Sequence, residues 1–306
     1  MYSFEDWISW EINHILPQYL HPNFKNMFKY AHPEVLVDCQ WVMEHSNDPQ
    51  VRIVEADISP EAYNNGHIPN AVFWNILNDL LLPDYRINFD ITAWEKLLTR
   101  SGISNDTTVI TYGDYGDLPA TGAWLFWLFK VFGHGDVRVL NGSRRKWAME
   151  GLPLTAESPI ILPTQYQVSA PDANLRILHN QVQESIGKTD CVLVDVRTPQ
   201  EYSGEWFMNE PPKATERAGH IPSAVSVFYG LALNDDGTFK SVEDLQALYS
   251  EKNINPEHKV ITYCAIGGRS GHTWFVLKYL LGYPHVQNYD GSWNEWSRFS
   301  DMPIEN

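Results

Sequence analysis

The sequence predicts an α/β fold in two tandem copies, each a mostly parallel sheet flanked by helices, and three observations carry that expectation. The chain repeats itself: GHIPNA at 66–71 returns as GHIPSA at 219–224, VITYG ending at Gly113 answers VITYC ending at Cys264, and NGSRRKW at 141–147 answers DGSWNEW at 290–296. These matches stand 153, 151 and 149 residues apart in the same order, the signature of a duplicated unit. Short β-branched runs alternate with helical patterns, which is how a parallel sheet with crossover helices reads in sequence. Finally, 306 residues exceed one compact core of about 100–150 residues and suffice for two.

In the second copy the strands are expected at Cys191–Asp195, Ala224–Val227, Val260–Tyr263 and Val286–Asn288. Ser241 is the expected N-cap of a helix with Glu243 and Asp244 in its first turn, and Ser270–Leu281 is expected as a helix packed against the sheet. In the first copy IVEAD at 53–57 answers LVDVR at 193–197, an offset of 140 that an insertion around Gly204–Glu216 explains. The resulting division is an N-terminal extension at 1–32, amphipathic in character, a first domain at 33–151, a Pro-, Ser- and Thr-rich connection at 152–175 and a second domain at 176–306.

Composition narrows the function. Hydrophobic residues make up 43% and aromatic residues number 40, so the chain has ample material to bury and no signature of disorder. The net charge of −16 divides as −9 before and −7 after residue 160, a spread acidity that offers no basic face to nucleic acid. No apolar stretch approaches the ~20 residues of a membrane span. The N-terminus is acidic where a signal peptide is basic. Three cysteines, Cys39, Cys191 and Cys264, without a CxxC pair, argue against a disulfide framework or a structural zinc site and fit a reducing cytoplasm.

The chemistry concentrates in Val260–Trp274. A strand ends at Cys264, a turn with Gly267 and Gly268 follows, and a helix begins. The two glycines permit a tight loop whose amides point at the Cys264 sulfur, and the helix N-terminus adds positive partial charge. A cysteine held in such a nest is expected to have a lowered pKa and to be able to carry a persulfide anion. The alternative, a buried thiol that only packs, fits Cys39 and Cys191 better, since they fall in helix-like and strand settings. A phosphatase of the tyrosine-phosphatase kind needs CxxxxxR, whereas here only four residues separate Cys264 from Arg269. This loop is one residue short for a phosphate, which disfavours arsenate or phosphate-ester chemistry.

The ordered set RIVEAD, GHIPNA, SGISNDTTVITYGD, FGHGDVRVLNG, CVLVDVRTPQEY, RAGHIPSAVSV, CAIGGRS and YDGSWNEW resembles the tandem-domain rhodaneses, the thiosulfate and 3-mercaptopyruvate sulfurtransferases, from about Val35 to the C-terminus. The resemblance implies two rhodanese-like domains and a persulfide relay. In it, Cys264 takes a sulfane sulfur from a small donor and passes it to cyanide, another thiophile or a protein acceptor, with no cofactor and no metal. The loop residues Ala265, Ile266, Gly267, Gly268, Arg269 and Ser270 would bind the substrate. Gly113 stands where the second copy has Cys264, and DYGDLPAT follows it, so the first domain would be a non-catalytic wall of the site.

Among the remaining residues, Arg269 is the only Lys or Arg between Val260 and Leu277. It is either the counter-charge for the loop or an anionic donor, or a hydrogen-bond donor to loop carbonyls. Asp195 with Arg197 is expected as a structural pair, and His67 and His220 as turn residues. His272 is a candidate for proton transfer, with a packed or capping role as the alternative. The CxIGxRS form resembles a bacterial branch assigned to thiosulfate, which favours thiosulfate over 3-mercaptopyruvate as donor. A non-catalytic sulfur carrier or partner-docking protein is the remaining alternative.

Overall fold

The computed structural model describes residues 29–113, 120–168 and 171–306. Most of the expected N-terminal extension, and Asp114–Pro119 of the first copy's variant loop, lie outside the described residues. Nine strands, β1 (Leu36–Val37), β2 (Val51–Asp57), β3 (Ala71–Asn75), β4 (Thr108–Tyr112), β5 (Val137–Leu140), β6 (Cys191–Asp195), β7 (Val225–Ser226), β8 (Lys259–Tyr263) and β9 (Val286–Asn288), are described. They form two wholly parallel sheets of order β1-β5-β4-β2-β3 and β7-β6-β8-β9. The helices are α1 (Cys39–His45), α2 (Glu61–Asn65), α3 (Ile91–Arg100), α4 (Thr121–Val131), α5 (Ser143–Met149), α6 (His179–Ser185), α7 (Pro199–Tyr202), α8 (Val242–Ser250), α9 (Gly268–Phe275) and α10 (Ser292–Trp296).

The second copy's expected elements need small corrections. The strand expected at Ala224–Val227 contracts to two residues because Val227 turns away to bond the end of β6, its N–H donating to the Asp195 carbonyl at 2.9 Å. The helix expected at Ser270–Leu281 starts two residues earlier, at Gly268, and its last turn widens over Val276–Leu280. Ser241 caps α8 as expected, its hydroxyl accepting from the Asp244 amide at 3.2 Å. Cys39 opens α1 and is buried, whereas Cys191 is only half-buried at the edge of β6.

The duplication is visible atom by atom. Tyr63 stacks on His67 and Tyr202 on His220, with ring centroids 3.6 and 3.7 Å apart. Each tyrosine hydroxyl donates to a carbonyl at the head of the next strand, Ala71 at 2.7 Å and Ala224 at 2.8 Å. The indoles of Trp147 and Trp296 donate to Pro153 and Pro303, both at 2.9 Å. His67 and His220 are therefore turn-locking residues, bonded through Nδ1 to the Tyr63 and Tyr202 carbonyls at 2.9 Å. The extra residues 204–216 form a loop between α7 and Gly219, whereas α2 runs directly into Gly66. In the second copy the counterpart of β1 shrinks to a single parallel bridge between Arg176 and Asn288.

Helices α4 and α9 bring the copies together. Helix α4 is apolar on nearly every side because one face covers its own sheet while another meets α9. Phe126 meets Phe275 edge-on at 4.8 Å. Gly271 lets the helices close: a Cβ there would lie 2.8 Å from Cδ1 of Trp124. Polar links reinforce the contact, with Lys146 paired to Asp236 at 2.9 Å and the Asn141 side chain accepting from the Phe239 amide at 2.9 Å.

Candidate active site

Strand β8 is central in its sheet, and a parallel strand delivers its next residue to the C-terminal edge, where crossover loops leave room for a site. That residue is Cys264, whose side chain is 1% exposed. The loop beyond it is held from two directions. The Cys264 amide donates to the Ser292 hydroxyl at 3.0 Å, while the Trp293 and Asn294 amides at the start of α10 donate to the Cys264 and Ala265 carbonyls at 3.0 and 2.9 Å. Gly267, in the left-handed region at φ +92, turns its N–H onto the Cys264 sulfur at 3.2 Å. The Ser270 hydroxyl donates to the same sulfur at 3.5 Å. These donors favour negative charge on Sγ.

Gly268 needs a correction. It has no left-handed φ, and a Cβ there would make ordinary contacts of 3.8 and 4.0 Å with the Trp124 ring. The tight turn depends on Gly267, and Gly268 simply opens α9.

Above the sulfur lies a cleft of about 200 Å³. Cys264, Ala265, Ile266, Gly268 and Arg269 form one wall, and the first domain supplies the other through Ile58, Ile76, Leu77, Tyr85, Ala120, Thr121 and Trp124. Gly267 and Ser270 reach the sulfur without lining the cleft. Thus all seven loop residues singled out in the sequence converge on one place, but the opposing wall carries no motif. Its only sequence signal was the long apolar run that became α4. Ser292 was reachable in principle, since it occupies the same place in DGSW that Ser143 occupies in NGSR, and Ser143 likewise accepts from the Gly113 amide, at 3.1 Å.

Arg269 does not point its charge at loop carbonyls. Its guanidinium forks onto Glu201 at 2.7 and 2.8 Å. Glu201 is buried in α7, where it also accepts from the Thr198 amide at 3.0 Å in a capping box. Burial raises the Glu201 carboxyl pKa, but the Arg269 hydrogen bonds and charge, with the Thr198 amide, outweigh it and hold the group below its ordinary value. Asp195 and Arg197 form the expected structural pair, with contacts of 2.6–3.1 Å, and Arg197 also donates to the Gly219 carbonyl at 2.7 Å. Among the described residues, no group of three or more His, Cys, Asp or Glu side chains is placed to hold a metal ion.

His272 takes its packed alternative. It is fully buried between Tyr229 and Phe239, lies outside the cleft, and neither ring nitrogen has a hydrogen-bond partner among the described residues. Burial lowers its pKa to about 3. The unfolded chain binds this proton below about pH 6.5 and the folded chain does not until about pH 3. The folded state therefore loses up to about 1.4 kcal/mol per pH unit as pH falls through that window. Thermal unfolding of wild type and His272→Phe at pH 7 and 4.5 checks this. The wild type should lose more stability on acidification, and equal losses would remove His272 as a cause.

A profile of the Rhodanese-like domain matches the chain twice, over residues 38–150 and 178–299. The sulfur carrier protein TtuD of Thermus thermophilus is 48% identical over 280 residues, covering 90% of this chain and 98% of that one. A Saccharopolyspora erythraea protein provisionally named a thiosulfate sulfurtransferase is 43% identical, covering 89% and 96%. Among solved structures, EanB captured as a cysteine persulfide with ergothioneine superposes with a TM-score of 0.80 at 25% identity, covering 90% of this chain and 71% of that chain. The anaerobic ergothioneine biosynthesis enzyme from Chlorobium limicola, in complex with trimethyl histidine, gives 0.78 at 25% identity over 90% and 71%.

Proposed function

The chain belongs to the rhodanese family of sulfurtransferases, and from that premise we propose that it moves a sulfane sulfur from thiosulfate to a thiophilic acceptor through a persulfide on Cys264. The observation that carries this reading is the sulfur of Cys264 lying under the Gly267 N–H and the Ser270 hydroxyl at the floor of an open cleft. The thiolate attacks the outer sulfur of thiosulfate. The bond between the two sulfurs of the donor breaks, and its electron pair leaves with sulfite. Cys264 is then a persulfide anion, stabilised by the same donors. Cyanide or a thiolate attacks the outer sulfur, leaves as thiocyanate or a new persulfide, and returns the Cys264 thiolate. Each electron pair is accounted for without a metal or an organic cofactor. A reducing cytoplasm suits a thiol that must be free between turnovers. Among the described residues, no helix is long and apolar enough to cross a membrane.

A second reading of the acceptor has its own support. Ile58, Leu77 and Tyr85 on the first-domain wall are 46%, 44% and 50% exposed, an apolar rim suited to an acceptor protein that extends a thiol-bearing tail. Intact mass measurement after thiosulfate treatment should show about 32 Da added to the chain and removed by cyanide. With cyanide as acceptor, kcat/KM should be higher for thiosulfate than for 3-mercaptopyruvate. The reverse order would replace the donor, and no added mass with either would end the persulfide reading. A stoichiometric persulfide with slow thiocyanate release would move the acceptor to a protein.

A further inference from the structure

We propose that Glu201 is a specificity-determining residue, which holds and discharges the cation of the cleft so that donors are selected by fit and loop hydrogen bonds and not by charge. This rests on the persulfide reading. Arg269 is the one Lys, Arg or His among the described residues lining the cleft. A dianionic donor should be drawn to it, especially in a chain of net charge −16 that repels anions at long range. Yet the guanidinium is engaged by both oxygens of Glu201 at 2.7 and 2.8 Å, in the two-pronged geometry that fixes an Arg–carboxylate pair most tightly. Glu201 is itself locked by Thr198, whose amide and hydroxyl donate to its Oε2 at 3.0 and 3.1 Å. The carboxylate is buried while the guanidinium faces the cleft, so the negative partner sits behind the positive one and cancels its field at the sulfur. The remaining lining is almost wholly apolar.

Two donors of similar size that differ by one charge test this: thiosulfate, a dianion, and methanethiosulfonate, a monoanion. In Glu201→Gln the Arg269 charge is no longer cancelled. The ratio of kcat/KM for thiosulfate to that for methanethiosulfonate should rise roughly tenfold, mainly through a lower KM for thiosulfate. In the double variant Glu201→Gln with Arg269→Gln the pair is neutral again, and the ratio should return to that of wild type. A Glu201 that only supports the loop would depress both donors alike and leave the ratio unmoved, which overturns the proposal. A raised ratio that persists in the double variant overturns it too. The wild type supplies a check that no folding defect can obscure. Between about 20 and 500 mM salt, its kcat/KM for thiosulfate should stay level or rise, and a steep fall would mean that an uncancelled cation attracts the donor. Mass gain on wild type tests the persulfide reading separately, so that reading can stand while this proposal fails.

Discussion

Cys264→Ser is expected to bring sulfur transfer down to the uncatalysed background, a loss of more than about a thousandfold, while the chain keeps its fold. The serine oxygen sits where Sγ sat, so the Gly267 amide and the Ser270 hydroxyl still have an acceptor. The buried position gains no unsatisfied donor, and its stability should change by no more than about 1–2 kcal/mol. The chemical loss is complete for a different reason. A serine hydroxyl is not ionised near neutral pH, and oxygen is a poor nucleophile toward a sulfane sulfur. No added mass should follow thiosulfate treatment, and thiocyanate production should match buffer alone. Turnover near the wild-type rate would move the nucleophile away from Cys264. A melting temperature close to wild type would show that the loss is chemical and not a collapse of the loop.

The part of the site that was legible in the sequence is the part that is contiguous. Cys264 through Ser270 follow one strand, and the chemistry of a strand, a glycine turn and a helix start is local enough to read from spacing. The duplication was legible because the GHIP turns are built from local contacts, Tyr63 on His67 and Tyr202 on His220, which recur wherever the local sequence recurs. Arg269 was visible as a charge but its partner was not. Thr198-Pro-Gln-Glu201 announces a helix start, and nothing in it says that the carboxylate reaches 68 residues onward to the catalytic loop. Trp124, Tyr85 and Ile58 were hidden for the same physical reason. Their place opposite Cys264 is set by how α4 packs on α9, a contact between two apolar surfaces that any well-packed pair of helices could make.

Packing also explains why the first copy is kept without a nucleophile. Gly113 has φ +147, and a Cβ there would meet the Ala56 carbonyl oxygen at 2.2 Å. A cysteine in the same backbone geometry would therefore displace the central strand β2. The first domain is committed to a chain path that excludes the thiol, and its contribution to the cleft is the apolar wall.

Gly267→Ala should damage activity and stability together, whereas Gly268→Ala should leave stability intact, although the two glycines are adjacent. At Gly267 the backbone is left-handed, which costs a side-chain-bearing residue about 1–2 kcal/mol, and the new Cβ would stand 2.7 Å from the Asp290 carbonyl oxygen. Asp290 cannot yield easily, because Arg176 grips its carboxylate at 3.0 and 2.9 Å and α10, beginning two residues later, anchors the Cys264 carbonyl. The Gly267 peptide must move instead. That movement withdraws its N–H from the sulfur and disturbs its carbonyl, which accepts from the Asn288 side chain at 3.2 Å and from the Gly271 amide at 3.0 Å. Loss of one donor aimed at developing negative charge lowers turnover by about 10²–10³-fold in comparable sites. At Gly268 the backbone is helical and a Cβ has only the Trp124 ring at 3.8 Å to meet, so alanine adds helix propensity worth up to about 1 kcal/mol. Thermal unfolding of both variants beside the rate of persulfide formation in Gly267→Ala separates the cases. Equal destabilisation by the two substitutions would mean that the turn is held elsewhere than at the left-handed residue under the sulfur.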